Sequence, residues 1–117
     1  MRVLYESWRR KQLHSTGRSD TFAEGVATRV PFEMTQKILW EYLERFVLVT
    51  EEEMRGAIVQ YLDLARVLAE GAGAAPLAAA IKCREELRGK KVVLYLSGGN
   101  ISRDTLTRAL TDPESWR

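Results

Sequence analysis

The 117-residue sequence has one cysteine, one histidine and three prolines, and it lacks a long apolar run. A single cysteine excludes a disulfide framework within the chain and is typical of a reducing compartment. One cysteine and one histidine cannot build a zinc site. No apolar segment approaches the roughly 20 residues of a membrane helix, and the N-terminal residues lack the apolar core of a signal peptide. We therefore expect a soluble, cytoplasmic chain with no membrane partner.

The composition is that of a globular protein, with 45% hydrophobic and 29% charged residues. The length predicts a single domain, residues 1–117. The 18 Lys+Arg against 16 Asp+Glu leave a formal net charge of +2. The densest basic cluster, Arg9–Lys11 beside Trp8, is better explained by a solvated helix face than by nucleic-acid binding, which needs a wider basic stripe. We expect no nucleic-acid partner.

Apolar spacing and capping signals predict about five helices. Thr50 and Glu53 have the spacing of a capping box, and the acidic residues between them complement the helix dipole. Met54 begins the apolar face of this helix, which we expect to continue to Leu68. The predicted helices cover residues 2–11, 33–44, 50–68, about 75–88, and 102 to the residue before Pro113.

Pro and Gly mark the predicted ends of the later helices. Because proline is tolerated in the first turn of a helix, Pro76 predicts a helix start near Ala75. Gly89 provides a left-handed stop. Ser102 can cap the last helix. Residues 14–20 are polar and contain glycine, which favours a loop.

Two short apolar segments predict strands: "FVLV" at residues 46–49 and "VVLYL" at residues 92–96. Both are apolar on both faces, which is typical of strands in the middle of a sheet covered by helices. Two strands alone cannot form such a sheet and would expose unpaired edges. The pattern predicts an α/β fold, a partial three-layer arrangement with about five helices and two or more short strands.

Few side chains are candidates for catalysis. His14 lies in the predicted loop and is the only histidine, so the sequence does not support a Ser or Cys triad. Lys82 and Arg84 flank Cys83 and could favour its thiolate, but an ordinary helix thiol is the simpler interpretation. The acidic run at residues 51–53 could suggest a hard cation, and a helix start explains it better.

The most informative stretch is "SGGN", residues 97–100, which directly follows the second predicted strand. Glycines in such a turn leave backbone N–H groups free and let a ligand approach closely, because they have no Cβ. Ser97 adds a neutral hydroxyl at the carboxyl end of a strand, where open α/β sheets bind ligands. Tight strand–helix turns also need glycine for geometry, so both interpretations stay open on these residues alone.

Four segments together resemble the C-terminal part of the threonine ammonia-lyases and serine dehydratases. In chain order they are "DTFAEGVAT", "VTEEEM", "AEGAGAAPLAAAI" and "KKVVLYLSGGNIS", and the resemblance extends from about Tyr5 to Leu110. These enzymes are pyridoxal 5'-phosphate (PLP) lyases of the tryptophan-synthase β-subunit fold type (fold type II), and serine racemase is a close relative. The resemblance implies the C-terminal part of a PLP-binding catalytic domain, without a regulatory domain.

The resemblance also implies roles for the glycine turn. Ser97 matches the serine whose hydroxyl hydrogen-bonds the pyridine nitrogen of PLP. Gly98 and Gly99 would let the backbone pass close to the ring. A neutral partner leaves the ring nitrogen largely unprotonated, which suits β-elimination of a hydroxyl better than chemistry that needs a long-lived carbanion.

Two further segments match the same pocket. Glu24 and Gly25 resemble the acidic-glycine pair beside the substrate and cofactor. Glu70 resembles a carboxylate that supports the ring-nitrogen side. Phe32 stands where the family has a glycine after the proline, so the local turn is expected to differ.

Other parts of the family's site have no match here. The lysine that binds PLP covalently lies in a Ser-Phe-Lys-type motif, and the phosphate sits in a glycine-rich loop; neither motif occurs in this sequence. The acidic cation ligands of the family also lack a counterpart. We expect that the chain does not bind PLP covalently and is inactive alone. The lysines without the required context are Lys11, Lys37, Lys82, Lys90 and Lys91.

Three functional interpretations follow. The chain is an inactive C-terminal segment of a dehydratase, one part of a split enzyme, or a non-catalytic oligomeric or partner-binding module that keeps the half-fold. Each leaves apolar faces and strand edges uncovered, so we expect a homo-oligomer or a complex with a complementing N-terminal chain. The preference between threonine and serine stays open.

Overall fold

The computed structural model describes residues 2–16 and 20–111. Within these residues a 3-10 turn at Glu24–Val26 and a π-helical segment at Tyr61–Ala65 accompany six α-helices. No described helix has the length and apolar character that crossing a membrane requires. The helices are α1 (Arg2–Arg10), α2 (Glu33–Tyr42), α3 (Glu51–Gln60), α4 (Gly71–Lys82), α5 (Arg84–Leu87) and α6 (Arg103–Thr111).

The described residues form two compact units. The first draws on the segments Met1–Thr21 and Val26–Leu48, and the second on Phe22–Gly25 and Val49–Arg117. The first unit contains α1 and α2, and the second contains α3 to α6. All the candidate site residues belong to the second unit.

In the first unit α1 packs against α2. The Trp40 indole N–H donates to the Ser7 carbonyl oxygen at 3.0 Å, and the Trp8 indole N–H donates to the Leu39 carbonyl oxygen at 3.1 Å. Ser7 itself is buried. The two tryptophans therefore fix the helix pair by apolar burial together with a satisfied polar end on each ring.

The core of the second unit lies where α3 contacts α4 and α6. Ile58 and Val59 of α3 are buried, as are the small residues Ala78 of α4 and Ala109 of α6. Small side chains on α4 and α6 allow the helix axes to approach closely, so this compact core depends on alanines as much as on large apolar residues.

Three predicted capping signals are confirmed. The Thr50 hydroxyl accepts from the Glu53 N–H at 3.1 Å while the Glu53 carboxylate accepts from the Thr50 N–H at 2.7 Å, which completes the capping box. The Ser102 hydroxyl accepts from the Thr105 N–H at 3.2 Å at the start of α6. Gly89 has the left-handed φ of 74°. The predicted stop at Pro113 and residues 17–19 of the predicted loop lie outside the described residues.

Two helix bounds differ from the sequence expectation. The α-helix that was expected to reach Leu68 ends at Gln60 and continues as the π-helical segment, after which Arg66 has a left-handed φ of 57°. The expected start near Ala75 is wrong, because α4 begins at Gly71 and includes Pro76 in its interior. The first turn of α4 packs closely against Phe22 and the Gly98 backbone. This packing offsets the cost of the hydrogen bond that Pro76 cannot donate.

The predicted strands are absent from the described residues, so the α/β description is corrected to a helical one. Residues 46–49 and 91–102 are neither helix nor strand. A strand is defined by a ladder of hydrogen bonds to a neighbouring strand, and no such ladder is formed by the described residues of the two apolar segments. Val93 is 95% exposed and Tyr95 is 78% exposed, as expected of a segment without its ladder partner.

Candidate functional site

The start of α4 meets the "SGGN" turn through Glu70. The Glu70 N–H donates to the Gly98 carbonyl oxygen at 3.1 Å, and its carboxylate Oε2 accepts from the Asn100 N–H at 3.0 Å. Glu70 also precedes the helix in an extended conformation, and its carbonyl oxygen accepts from the Ala74 N–H at 2.9 Å. One residue therefore joins the helix start to both sides of the turn.

Glycine is required at this contact because the two backbones nearly touch. A Cβ on Gly73 would collide with the Gly98 carbonyl oxygen. A Cβ on Gly99 would lie 2.5 Å from the Leu68 carbonyl oxygen, and one on Gly98 would lie 3.0 Å from the Glu70 carboxylate. The small residues of "EGAGA" and "SGGN" thus make one close-packed junction.

The segment around Gly25 completes the site. A Cβ on Gly25 would lie 2.9 Å from the Ala72 Cβ and 3.5 Å from Glu70 Oε1. The Phe22 N–H donates to the Glu51 carboxylate at 3.3 Å, so the start of α3 holds this segment in place. Three stretches that are distant in sequence therefore converge at the N-terminus of α4.

The three stretches surround an open pocket of about 480 Å³. Its described polar lining consists of two carboxylates, one amide and two hydroxyls. Neither Lys nor Arg is found among the described residues that line it. The lining residues are Phe22, Ala23, Glu24, Gly25, Glu70, Gly71, Ala72, Asn100, Ile101, Ser102 and Thr105.

The charge of the lining decides which groups the pocket suits. Glu24 and Glu70 give it a negative wall, which disfavours a phosphate and favours a cationic or hydrogen-bond-donating group. The Glu70 carboxylate lies at the positive end of the α4 dipole, where a negative charge is stabilised. Among the described residues no group of three or more His, Cys, Asp or Glu side chains is placed to hold a metal ion.

The structure brings most of the expected site residues together. Glu24, Gly25 and Glu70 line the pocket, and Gly98 and Gly99 pack directly behind it. Ser97 precedes this junction with an exposed side chain and is not part of the lining.

Sequence reasoning missed three polar residues of the lining. Asn100 belongs to the quoted turn, and its position in that motif was the available signal. Ser102 was predicted only as a helix cap. Thr105, whose hydroxyl oxygen accepts from the Ser102 hydroxyl at 2.8 Å, lies in no motif that would have indicated a pocket. A helix cap and a pocket wall need the same kind of small polar residue, so sequence alone does not separate the two roles.

A glycine turn, a helix start and a carboxylate meet around an open pocket. The family described as "Pyridoxal-phosphate dependent enzyme" matches residues 1–98. Since the match covers most of the chain, this protein belongs to the family of PLP-dependent enzymes.

Proteins similar to this chain include an L-threonine ammonia-lyase and an L-threonine dehydratase. L-threonine ammonia-lyase of Thermotoga maritima is 36% identical over 110 residues, which is 94% of this chain and 27% of that protein. L-threonine dehydratase catabolic TdcB of Staphylococcus aureus is 35% identical over 101 residues, 84% of this chain and 29% of that protein. The chain therefore spans less than a third of the length of these curated relatives.

Solved structures agree with this assignment. The processed form of threonine deaminase isoform 2 from Solanum lycopersicum has a TM-score of 0.84 and 28% identity, covering 92% of this chain and 32% of that one. Serine racemase from Dictyostelium discoideum has a TM-score of 0.72 and 27% identity, covering 86% of this chain and 32% of that one. The resemblance to threonine deaminases and serine racemase is thus confirmed.

The charge of the pocket lining can be compared with the two polar ends of PLP, its phosphate and its ring nitrogen. The close contacts of Gly73, Gly98 and Gly99 are with protein backbone and the Glu70 carboxylate, so these glycines pack the junction behind the pocket. The negative wall formed by Glu24 and Glu70 does not suit the cofactor's phosphate. The lining therefore does not suit the phosphate side of the cofactor, whereas its neutral polar groups, Asn100, Ser102 and Thr105, are compatible with the ring side.

Proposed function

We propose that this chain supplies the pyridine-nitrogen side of the PLP pocket in a threonine or serine dehydratase. The reaction is β-elimination of water from a hydroxy amino acid, followed by deamination to a 2-oxo acid. The observation that carries the proposal is the junction of Glu70 with Gly98 and Asn100 beside the open pocket. The similarity to an L-threonine ammonia-lyase and an L-threonine dehydratase supports the reaction class.

The residues of this chain would bind and orient the reactants. When bound, PLP supplies an electron-withdrawing ring. The Ser97 hydroxyl would donate a hydrogen bond to the ring nitrogen, as the resemblance implies, and Gly98 and Gly99 would hold the turn that carries Ser97 against Glu70. Glu24 and Gly25 border the side where substrate enters.

The chain needs a partner for turnover. No lysine is found among the described residues that line the pocket, and none of its lysines has the family's sequence context. We propose that it is inactive alone and works with a chain that supplies the covalent lysine and the phosphate loop. This is the split-enzyme form of the proposal.

Complementation tests the proposal directly. The chain is mixed with PLP and with the N-terminal part of the Thermotoga maritima L-threonine ammonia-lyase that precedes the matching region. We expect release of 2-oxobutanoate from threonine or of pyruvate from serine by the mixture and by neither chain alone. The ratio of the two products gives the substrate preference.

Matched variants identify the source of any activity. Ser97→Ala should reduce turnover by about 10- to 100-fold, because the ring nitrogen loses its partner. Cys83→Ser, at the C-terminal end of α4 and so at the opposite end from the pocket lining, should leave turnover unchanged. Turnover by this chain alone, with PLP that survives dialysis and maps to one lysine after borohydride reduction, would contradict the proposal.

A second candidate function is a non-catalytic, partner-binding module. The exposure of Val93 (95%) and Tyr95 (78%) favours it, because apolar side chains at these positions are suited to contact another protein. In this case Ser97→Ala would leave partner binding intact, whereas substitutions at Val93 and Tyr95 would abolish it. The dehydratase proposal instead requires both sets of residues.

A further inference from the structure

Glu70 lines the pocket and also forms two hydrogen bonds with the "SGGN" turn, one through its backbone and one through its side chain. Its backbone N–H donates to the Gly98 carbonyl oxygen at 3.1 Å, and its side chain accepts from the Asn100 N–H at 3.0 Å. The first bond holds the turn on one side of Gly99 and the second holds it on the other. The side chain therefore bridges the turn to the start of α4.

The shape of the surroundings fixes where this carboxylate lies. A Cβ on Gly98 would come within 3.0 Å of the Glu70 Cδ and Oε1, and a Cβ on Gly25 would come within 3.5 Å of Oε1. Asn100 is exposed, so its N–H would bond to water if the carboxylate were absent. The hydrogen bond from the Asn100 N–H therefore requires a side chain at residue 70 that is long enough to place an acceptor oxygen at the position of Glu70 Oε2.

We infer that Glu70 is a positioning residue, which fixes the turn presenting Ser97 by accepting the Asn100 N–H. This role requires a side chain of the length of glutamate with an acceptor oxygen at its end. It does not require the negative charge. The role of Ser97 as the contact to the ring nitrogen rests on the proposed function. The restraint of the turn by Glu70 does not.

Amide hydrogen exchange of the chain, followed residue by residue by NMR, tests the restraint. In Glu70→Ala and Glu70→Asp the Asn100 amide should exchange about tenfold faster, because its acceptor is removed or is one methylene too short. In Glu70→Gln the side-chain carbonyl oxygen can still accept, so exchange should stay within about twofold of the parent chain. The amide chemical shifts of Ser97 and Gly98 should change in Glu70→Ala and Glu70→Asp and should stay unchanged in Glu70→Gln.

Two controls separate this effect from unfolding. The Val59 amide in buried α3 should stay protected in every variant, which reports that the second unit is folded. Glu41→Ala, at an exposed glutamate of α2, should leave the Asn100 amide unchanged. If Glu70→Ala loses Val59 protection, the Asp and Gln variants, which keep a polar side chain, decide the question.

Two results would overturn the inference. Equal acceleration in Glu70→Gln and Glu70→Ala would show that the charge matters and the acceptor does not. Unchanged Asn100 exchange in both Ala and Asp would show that the carboxylate does not restrain the turn.

A second measurement connects the turn to cofactor binding. In the complemented enzyme, Glu70→Ala should raise the PLP concentration for half-maximal activity by about tenfold, while Glu70→Gln should rescue it. Loss of PLP affinity in Glu70→Gln as well would overturn the inference. Absence of activity in the parental mixture would count against the proposed function, and the exchange experiment would still decide the role of Glu70.

Discussion

At the scale of single residues, the close approach of Gly73 to the Gly98 carbonyl oxygen predicts that alanine at residue 73 destabilises the protein. Replacing a helix glycine by alanine normally stabilises a protein by about 0.5–1 kcal/mol. Gly73→Ala should instead lower the free energy of unfolding by about 1–3 kcal/mol, because the new Cβ collides with backbone that cannot move away cheaply. Urea unfolding measures the change, and the Asn100 amide chemical shift reports displacement of the turn.

Gly89→Ala is the matched control for this prediction. Gly89 has a φ of 74°, and a Cβ there would meet nothing within 4 Å. The variant should cost about 1–2 kcal/mol through backbone strain alone and leave the Asn100 shift unchanged. Stabilisation by Gly73→Ala would show that α4 and the turn do not make the close contact.

At the scale of elements, the start of α3 makes a pH-dependent contribution. A hydrogen bond from its own backbone amide, then one from the Thr50 hydroxyl, then the nearby Arg55 guanidinium lower the pKa of the Glu52 carboxyl. A carboxyl whose pKa is lower when folded stabilises the protein above its unfolded-state pKa, and the contribution is lost as the pH falls through the folded-state pKa. The stabilisation that the Glu52 carboxylate contributes at the start of α3 is therefore expected to be lost on acidification.

Thr50→Ala tests this contribution. It should lower the free energy of unfolding by about 1 kcal/mol near neutral pH and by less at low pH, measured by urea unfolding at both. Thr107→Ala, at an exposed position of α6, should change it by less than about 0.5 kcal/mol. Glu52→Gln should flatten the pH dependence of the free energy of unfolding below about pH 5. Glu44→Gln, at an exposed glutamate, is the matched control and should leave this dependence unchanged. Equal losses for Thr50→Ala at both pH values would contradict the link between the cap and Glu52.

The same elements show what the sequence could predict. The Thr50 and Ser102 caps and the Gly89 stop were predictable because each depends on neighbours within four residues. The early start of α4 was not, because its first turn is stabilised by Phe22 and Gly98, far away in sequence. The site residues came from the resemblance, while their convergence on Glu70 required the fold.

At the scale of the whole molecule, the exposed segment at residues 92–96 predicts association with another chain. Val93 and Tyr95 are exposed, whereas Leu94 and Leu96, which alternate with them, are partly covered. An extended segment with free backbone groups and outward apolar side chains can pair with a strand of another chain. We expect a homo-oligomer at micromolar concentrations by size exclusion with light scattering, and a heterocomplex when an N-terminal part is added.

Introduced charge tests this association, because lysines on an unpaired segment oppose pairing with another edge. The double variant Val93→Lys with Tyr95→Lys should shift the parent oligomer to monomer and weaken complementation by at least about tenfold. Phe32→Lys with Met34→Lys is the matched control, because both of its side chains are 73% exposed in the first unit; it should keep the oligomer and the complementation. A parent chain that is folded and strictly monomeric would contradict self-association. Unimpaired complementation by the double lysine variant would show that the N-terminal partner does not pair with this segment.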